Sequence, residues 1–205
     1  MMRVLLSGGI DSAVCLAWAR ATGSPVEAVF FSYGQPARKQ EYSAVVRLCR
    51  HFGVNHWSIP LELEGASGLS EEGEKVVVPG RNEAFLRTAA KGFPPPESLI
   101  IGACFDDAEL FADCRPDFLN GLDDDLEPDV VAPLLYLTKR QVWDYSKVYG
   151  GTMLLEMTWS CYLGGETHCG TCLGCQGRDD AFDAHNRGAY EKVPAWFPAA
   201  WDLAE

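Results

Sequence analysis

At 205 residues, 47% of them hydrophobic, the chain is long enough to bury one substantial core with a small appendage. Seventeen Lys and Arg against 29 Asp and Glu leave a formal charge of −12, which repels a phosphate backbone and disfavours a dedicated nucleic-acid-binding role. No apolar run suits a signal peptide or a membrane span, so a cytoplasmic chain is expected, its eight cysteines reading as thiols and metal ligands rather than disulfides.

The first element is a strand over Val4–Leu6, which breaks into Ser7-Gly8-Gly9-Ile10-Asp11-Ser12 and a helix from Asp11 to Ala21, stopped by Gly23 and Pro25. A glycine pair between strand and helix lets main-chain N–H groups approach an anion. Asp11 or Ser12 is expected to cap the helix, whose N-terminus carries partial positive charge. No Gly-Lys-Ser/Thr follows, so this is not a Walker loop. It resembles the S-G-G-x-D-S pyrophosphate loop of enzymes that split ATP into AMP and pyrophosphate; an ordinary strand-turn-helix corner is the alternative.

A second strand is expected over Val26–Phe31. The helix from Ala37 to Phe52 has Val45, Leu48 and Phe52 on one face and Gly53 as its stop. Trp57–Ile59 reads as a third strand, and residues 62–75, rich in Gly, Ser and Glu, as a mobile loop. Val76-Val77-Val78 leads into Pro79-Gly80-Arg81-Asn82, which opens a helix over Arg81–Lys91 ended by Gly92 and three prolines. Ser98–Ala103 is a buried strand, and the acidic run Asp123–Asp129 a solvated loop. After Pro133–Leu137, Thr138-Lys139-Arg140-Gln141 fits a capping box for a helix to Tyr149, closed by Gly150-Gly151. Repeated β–α alternation predicts a mainly parallel sheet with helices on both faces, a Rossmann-like α/β fold. Ligands of such sheets sit beyond the carboxyl ends of the strands. Ser7–Ser12, Ser32-Tyr33-Gly34-Gln35, Pro79–Asn82, Gly102–Arg115 and Lys139 all follow apolar runs and are expected to gather there.

Near the other end, Cys161, Cys169, Cys172 and Cys175 form C-x7-C-x2-C-x2-C with glycines between them. Four thiolates fill a tetrahedral coordination sphere, so the site would be structural zinc rather than catalytic, with an iron–sulfur cluster as the alternative. His168 is placed beside this site. The division expected is a nucleotide-binding domain over 1–155 and a metal-binding region with an aromatic tail over 156–205.

In this order of motifs the chain resembles the QueC-type 7-cyano-7-deazaguanine synthases. The residues that carry the resemblance are Ser7-Gly8-Gly9-Ile10-Asp11-Ser12, Tyr33-Gly34-Gln35, Pro79-Gly80-Arg81-Asn82, Gly102 with Asp107, and Asp113-Cys114-Arg115. They continue with Pro133-Leu134 and Lys139, then Thr158-Trp159-Ser160-Cys161-Tyr162, Cys169-Gly170-Thr171-Cys172-Leu173-Gly174-Cys175, and Arg178 before Ala181-Phe182. The match runs from residue 3 to about residue 187.

The resemblance implies a fold of the adenine nucleotide alpha hydrolase (HUP) type and an ATP-dependent, AMP-forming carbon–nitrogen ligase. Its substrate would be 7-carboxy-7-deazaguanine, adenylated on its carboxylate, amidated by ammonia and dehydrated to the nitrile with a second ATP. It implies ATP contacts from Ser7, Gly8, Gly9, Asp11, Ser12, Tyr33 and Gln35. Lys139 and Arg81 would face phosphate beside Mg²⁺, and Asp107, Asp113, Arg115 and Tyr162 would face the deazaguanine. The four cysteines would hold Zn²⁺, and the chain would be a homodimer.

The sequence also departs from the family. Leu110-Phe111-Ala112 stands where Gly-Tyr-Pro is common, Ala37 where a histidine is usual, and Ala13 where a threonine is usual. The adenylation residues remain while polar groups near the acceptor side are thinned. This leaves room for a second expectation, transfer of the activated acyl group to an amine of a partner protein in a bacterial defence system. A non-catalytic nucleotide-binding module is a lesser one. The tail, with Trp196, Phe197 and Trp201, is expected to serve a dimer or partner contact.

Overall fold

A computed structural model describes residues 1–63, 78–92, 94–149 and 151–186. Among these residues five strands form one parallel sheet: β1 (Met2–Leu5), β2 (Val26–Ser32), β3 (Asn55–Pro60), β4 (Ser98–Ile100) and β5 (Asp129–Val131), in the order β3-β2-β1-β4-β5. β1 lies at the centre, with Val4 opposite Ala28 of β2 and Ile100 of β4. The helices are α1 (Ile10–Ala21), α2 (Arg38–Phe52), α3 (Arg81–Ala90), α4 (Phe105–Leu110), α5 (Pro116–Asp125), α6 (Lys139–Ser146), α7 (Gly151–Glu156) and α8 (Leu173–Asn186).

The apolar runs of β1 and β2 are continuous because both sheet faces are covered. Val4, Leu6, Ala28, Phe30 and Ile100 point to a core shared with α1, α2, α6 and α7. The alternate residues Leu5, Val29, Phe31, Leu99 and Ile101 point to a second core with Leu86 of α3 and Leu119 and Leu122 of α5. Phe182 of α8 packs on the first core, edge-on to Trp143. Arg3, buried in the sheet, bonds Glu27 of β2 at 2.5 Å and donates to the Ala89 carbonyl of α3, tying three elements together.

Most expected elements form. The Thr138 capping box is present: the Thr138 hydroxyl accepts from Gln141 N at 3.2 Å, and the Gln141 carboxamide accepts from Thr138 N at 2.9 Å. Its helix ends at Ser146 and runs on as a 3-10 turn over Lys147–Tyr149, while Gly151 opens α7. Two expectations are corrected. The acidic run is not a loop: its first three residues close α5, and Asp129 starts β5. Two of its aspartates are bonded, Asp123 accepting from Val130 N at 2.6 Å and Asp125 pairing with Arg87 at 2.6 Å. Neither Asp11 nor Ser12 caps α1. Gly9 is its N-cap, without a side-chain bond, because the Asp11 carboxylate is held by Lys139 and the Ser12 hydroxyl donates to Gly9 O. The expected loop over 62–75 and the Val76–Val78 run lie largely outside the described residues, and the aromatic tail wholly so. No helix among the described residues is long and apolar enough to cross a membrane.

Candidate active site

The sheet order puts the topological switch point between the carboxyl ends of β1 and β4, where the chain departs from the central strand in opposite directions and where sheets of this kind bind their ligands. The Ser7–Ser12 loop rises from β1 and turns into α1. Gly8, at φ +86°, has no room for a side chain: a Cβ would lie 2.6 Å from the Glu41 carbonyl of α2. Gly102, after β4, presses on the first turn of α1 so closely that a Cβ would lie 2.9 Å from Ser12 N. Within the loop, Ser7 Oγ accepts from Gly9 N at 3.3 Å and lies 3.1 Å from Ser12 Oγ. The α1 N-terminus, without a side-chain cap, therefore offers main-chain N–H groups and positive partial charge at this end of the sheet.

Lys139, at the first position of α6, reaches across to this loop. Its Nζ donates to Asp11 Oδ2 at 2.6 Å and to Asp107 Oδ2 at 2.9 Å, and its main-chain N donates to Asp106 Oδ2 at 2.5 Å. Burial works against the charge on Lys139, but Asp11 and Asp107 outweigh it and hold its pKa well above the ordinary lysine value. Burial pushes the Asp11 carboxyl up; Lys139 opposes that shift and Asp107 and Asp106 add to it. Asp11 Oδ1 is buried with no partner among the described residues, an uncompensated acceptor of the kind that ligand sites hold in reserve. Tyr162 is half-exposed beside the cluster; burial raises its phenol, and the charge of Lys139 lowers it in part.

A second group lies beyond β2. Burial works against the charge on Arg81, at the start of α3, but Tyr33 and Asp113 nearby outweigh it and raise its pKa, and its Nε donates to Asn82 Oδ1 at 3.4 Å. Asn82 joins the two motifs: its N donates to Asp113 Oδ2 at 3.2 Å and its Nδ2 to Asp113 O at 3.3 Å. Gln35 is buried, its Nε2 donating to Phe31 O at 2.9 Å and Glu41 Oε2 at 3.0 Å while its Oε1 accepts from Tyr33 N at 2.8 Å. Its amide thus braces the turn that carries Tyr33. Arg115 is exposed at the start of α5, its Nε on the Ala108 carbonyl at 3.2 Å, and no bond joins it to Lys139 or Arg81 among the described residues.

Glu41 and Asp106 were not legible as site residues, although each is an acidic residue in a first helical turn beside a recognisable motif. Burial pushes the Glu41 carboxyl up to about 7, against the opposing pull of Gln35 and Arg81. A carboxyl whose folded pKa exceeds its unfolded value is neutral in both states at low pH and costs stability once the unfolded form ionises. Glu41→Gln is therefore expected to unfold like the parent near pH 4 and to gain on it as pH rises from about 4.5 to 7. The gain is at most about 3 kcal/mol, read from urea titrations at pH 4 and pH 8; a variant weaker than the parent at pH 8 contradicts it.

The Sγ atoms of Cys161, Cys169, Cys172 and Cys175 all lie within 4.8 Å of one another, with Cys169 and Cys175 3.8 Å apart. The Thr171 hydroxyl and main-chain N–H groups favour the thiolate of Cys169, holding its pKa at about 5. Arg178 of α8 secures the adjoining chain through Leu155 O and the Thr158 hydroxyl, each at 2.8 Å. The scattered Cys15, Cys49, Cys104 and Cys114 are buried and free. Burial raises Cys49 to about 11 and Cys104 and Cys114 to about 12, so they remain neutral thiols.

A family model described as "Queuosine biosynthesis protein QueC" matches residues 2–186. The chain belongs to the QueC family. It is 33% identical over 204 residues to a 7-cyano-7-deazaguanine synthase of Desulfotalea psychrophila, covering 87% of this chain and 91% of that protein. It is 32% identical over 225 residues to the same-named protein of Thermoplasma acidophilum, covering 95% and 93%. Among solved structures it is similar to an NMN synthetase from Francisella tularensis, with a TM-score of 0.53, 18% identity and 95% and 89% coverage. It is also similar to the U34-tRNA thiolase NcsA of Methanococcus maripaludis, with a TM-score of 0.52, 17% identity and 99% and 69% coverage. At those identities the likeness is one of fold, the mainly parallel α/β architecture described above.

Proposed function

We propose that this QueC-family chain activates the carboxylate of 7-carboxy-7-deazaguanine with ATP, releasing pyrophosphate, and converts the acyl-adenylate to the amide and then the nitrile. The observation that carries the reading is Lys139 seated between Asp11 and Asp107 at the mouth of an uncapped pyrophosphate loop. In the first step a carboxylate oxygen bonds to the α-phosphorus and the α–β bridging bond breaks. The Gly8–Ser12 main chain and Lys139 are placed to take the charge that builds on the departing pyrophosphate. Ammonia then displaces AMP from the acyl carbon, giving the amide. A second ATP adenylates the amide oxygen with release of pyrophosphate, and loss of AMP and of the two amide protons leaves the nitrile. Asp113, to which Asn82 N donates at 3.2 Å, and Tyr162 beside Lys139 would orient the deazaguanine, while Arg81 would meet phosphate and Tyr33 the nucleotide.

Two metals fit the residues present. Asp11, with its unpartnered Oδ1, and Asp107 would hold Mg²⁺, which when bound supplies further neutralisation of phosphate charge. The four thiols fit Zn²⁺: bonds of about 2.3 Å in a tetrahedron separate sulfurs by about 3.8 Å, the Cys169–Cys175 distance. An iron–sulfur cubane interposes several atoms and needs wider sulfur spacing. The same reading carries the homodimer that the family resemblance implies, which light scattering checks. The decisive experiment incubates the protein with ATP, Mg²⁺ and 7-carboxy-7-deazaguanine, with and without ammonium. AMP and pyrophosphate are expected only with the acid, and amide and nitrile masses only with ammonium. ADP as the product sinks the reading, and an acyl adduct on a co-expressed protein would replace ammonia by a protein amine as the acceptor.

A further inference from the structure

We infer that the four-cysteine centre sets the conformation of the pyrophosphate loop, through Trp159 and Gln40 as positioning residues, so that metal and nucleotide each tighten the binding of the other. The inference rests on the reading that Ser7–Ser12 hold ATP.

One route runs through Trp159. Its main-chain N donates to the Gly8 carbonyl at 2.9 Å. Because the peptide is planar and trans, fixing the Gly8 carbonyl also fixes the direction of the Gly9 N–H on the opposite edge of the same unit, which donates to Ser7 Oγ at 3.3 Å and so sets the side chain that meets Ser12 Oγ across the loop. Trp159 is itself clamped by the metal loop. Its indole N–H donates to Cys161 O at 2.7 Å, and its ring stacks on His168 at 4.3 Å. The Nε2 of His168 accepts from Ser160 N at 3.3 Å. The residue that grips the loop is thus held by the chain next to two of the thiols.

The other route runs through α2. Gln40 Nε2 donates to the carbonyls of Gly164 and Gly165, at 2.5 and 2.8 Å, inside the chain that joins Cys161 to Cys169. Its Oε1 is buried without a partner among the described residues, so the amide is held there for its donors alone. Gly164, at φ +69°, lies so close to the start of α2 that a Cβ would fall 2.3 Å from Pro36 O. The next residue after Gln40 is Glu41, whose carbonyl occupies the space beside Gly8. The thiol-bearing loop therefore bears on Gly8 from two sides, and disorder in one costs the other its support.

Coupled binding is reciprocal, which gives a readout independent of turnover. Binding of α,β-methylene-ATP to the metal-loaded full chain is measured by calorimetry, and metal loss to a chromogenic chelator is timed with and without the analogue. The analogue is expected to slow metal loss roughly fivefold or more, and metal-depleted protein of native circular dichroism to bind it more weakly by the same factor. Gln40→Leu should retain one metal per chain yet lose most of that coupling. Trp159→Phe, which keeps the stack but not the indole N–H, should do likewise and serves if Gln40→Leu does not fold. Equal rates of metal loss in protein that binds the analogue overturn the coupling alone. Failure of the intact protein to bind the analogue overturns this inference together with the ATP reading.

Discussion

Asp11→Asn and Lys139→Met are both expected to lower AMP formation by about 10²–10³-fold, while only Lys139→Met lowers stability. The Lys139 ammonium reaches the Ser7–Ser12 loop, where Asp11 holds it at 2.6 Å. Without either, the charge building on the leaving group loses its counter-charge or that counter-charge loses its place. Stability separates the two. Asp11 titrates above an ordinary carboxyl, burial being the largest cause and Asp107 and Asp106 adding to it. A raised acid destabilises the fold above the unfolded pKa, so at neutral pH asparagine relieves that cost, and Lys139 keeps Asp107 at 2.9 Å. The Asp11→Asn protein is expected to melt at the parental temperature or above it. Lys139→Met instead leaves Asp11 and Asp107 facing each other without a cation. Because 39% of the Lys139 side chain is open to solvent, screening keeps that loss to about 1 kcal/mol. Pyrophosphate release and thermal melting of both variants check the pair. Asp11→Asn turning over within a few-fold of the parent removes Asp11 from the chemistry, and a sharply lowered melting temperature would mark it as a structural residue.

The sheet was legible because its pattern is strong and local. Val4–Leu6, Val26–Phe31 and Ser98–Ala103 are apolar on both faces, and the Thr138 box names its own helix start. What escaped the sequence is short or masked by composition. β5 is three residues inside an acidic run, and pairing with β4, a non-local event, makes it a strand. α5 carried a signal that could have been read, Pro116 at its first position. α8 begins between two cysteines, where the metal pattern dominates the reading.

The site was legible in membership more than in geometry. Asp11, Lys139 and Asp107 meet, as do Tyr33, Arg81 and Asp113, because all follow strands whose carboxyl ends share one edge. Gln35 was read as a ligand contact, yet its amide is occupied by Phe31, Tyr33 and Glu41, a use that only the closed turn reveals. The capping role expected of Asp11 failed for a related reason. Propensity weighs a carboxylate against its neighbours in sequence, and the lysine that takes it lies 128 residues away.

Cys172→Ser, or chelation of the metal, is expected to unfold the segment around residues 158–176 while the sheet persists. The argument is one of supply. Among the described residues, only Trp159 and Leu163 pack with the three buried cysteines of this cluster, too little apolar surface to order a loop whose backbone costs roughly 1–2 kcal/mol per residue to fix. Thiolate coordination makes up the difference, with apparent binding energies on the order of 10 kcal/mol in zinc-finger peptides. The two cores on the faces of the sheet draw on other residues and retain their burial. Hydrogen exchange followed by mass spectrometry should show protection lost first at Ser160–Gln176, next at the Ser7–Ser12 loop to which Trp159 is bonded, and last at β1 and β2. Serine at Cys172 is the sharper probe, because its side chain is 4% exposed and a buried hydroxyl there has neither the metal's charge nor the thiol's fit. If metal-free protein keeps full exchange protection across the cysteine loop, the centre does not supply the folding energy of this region and must be explained by something other than structure.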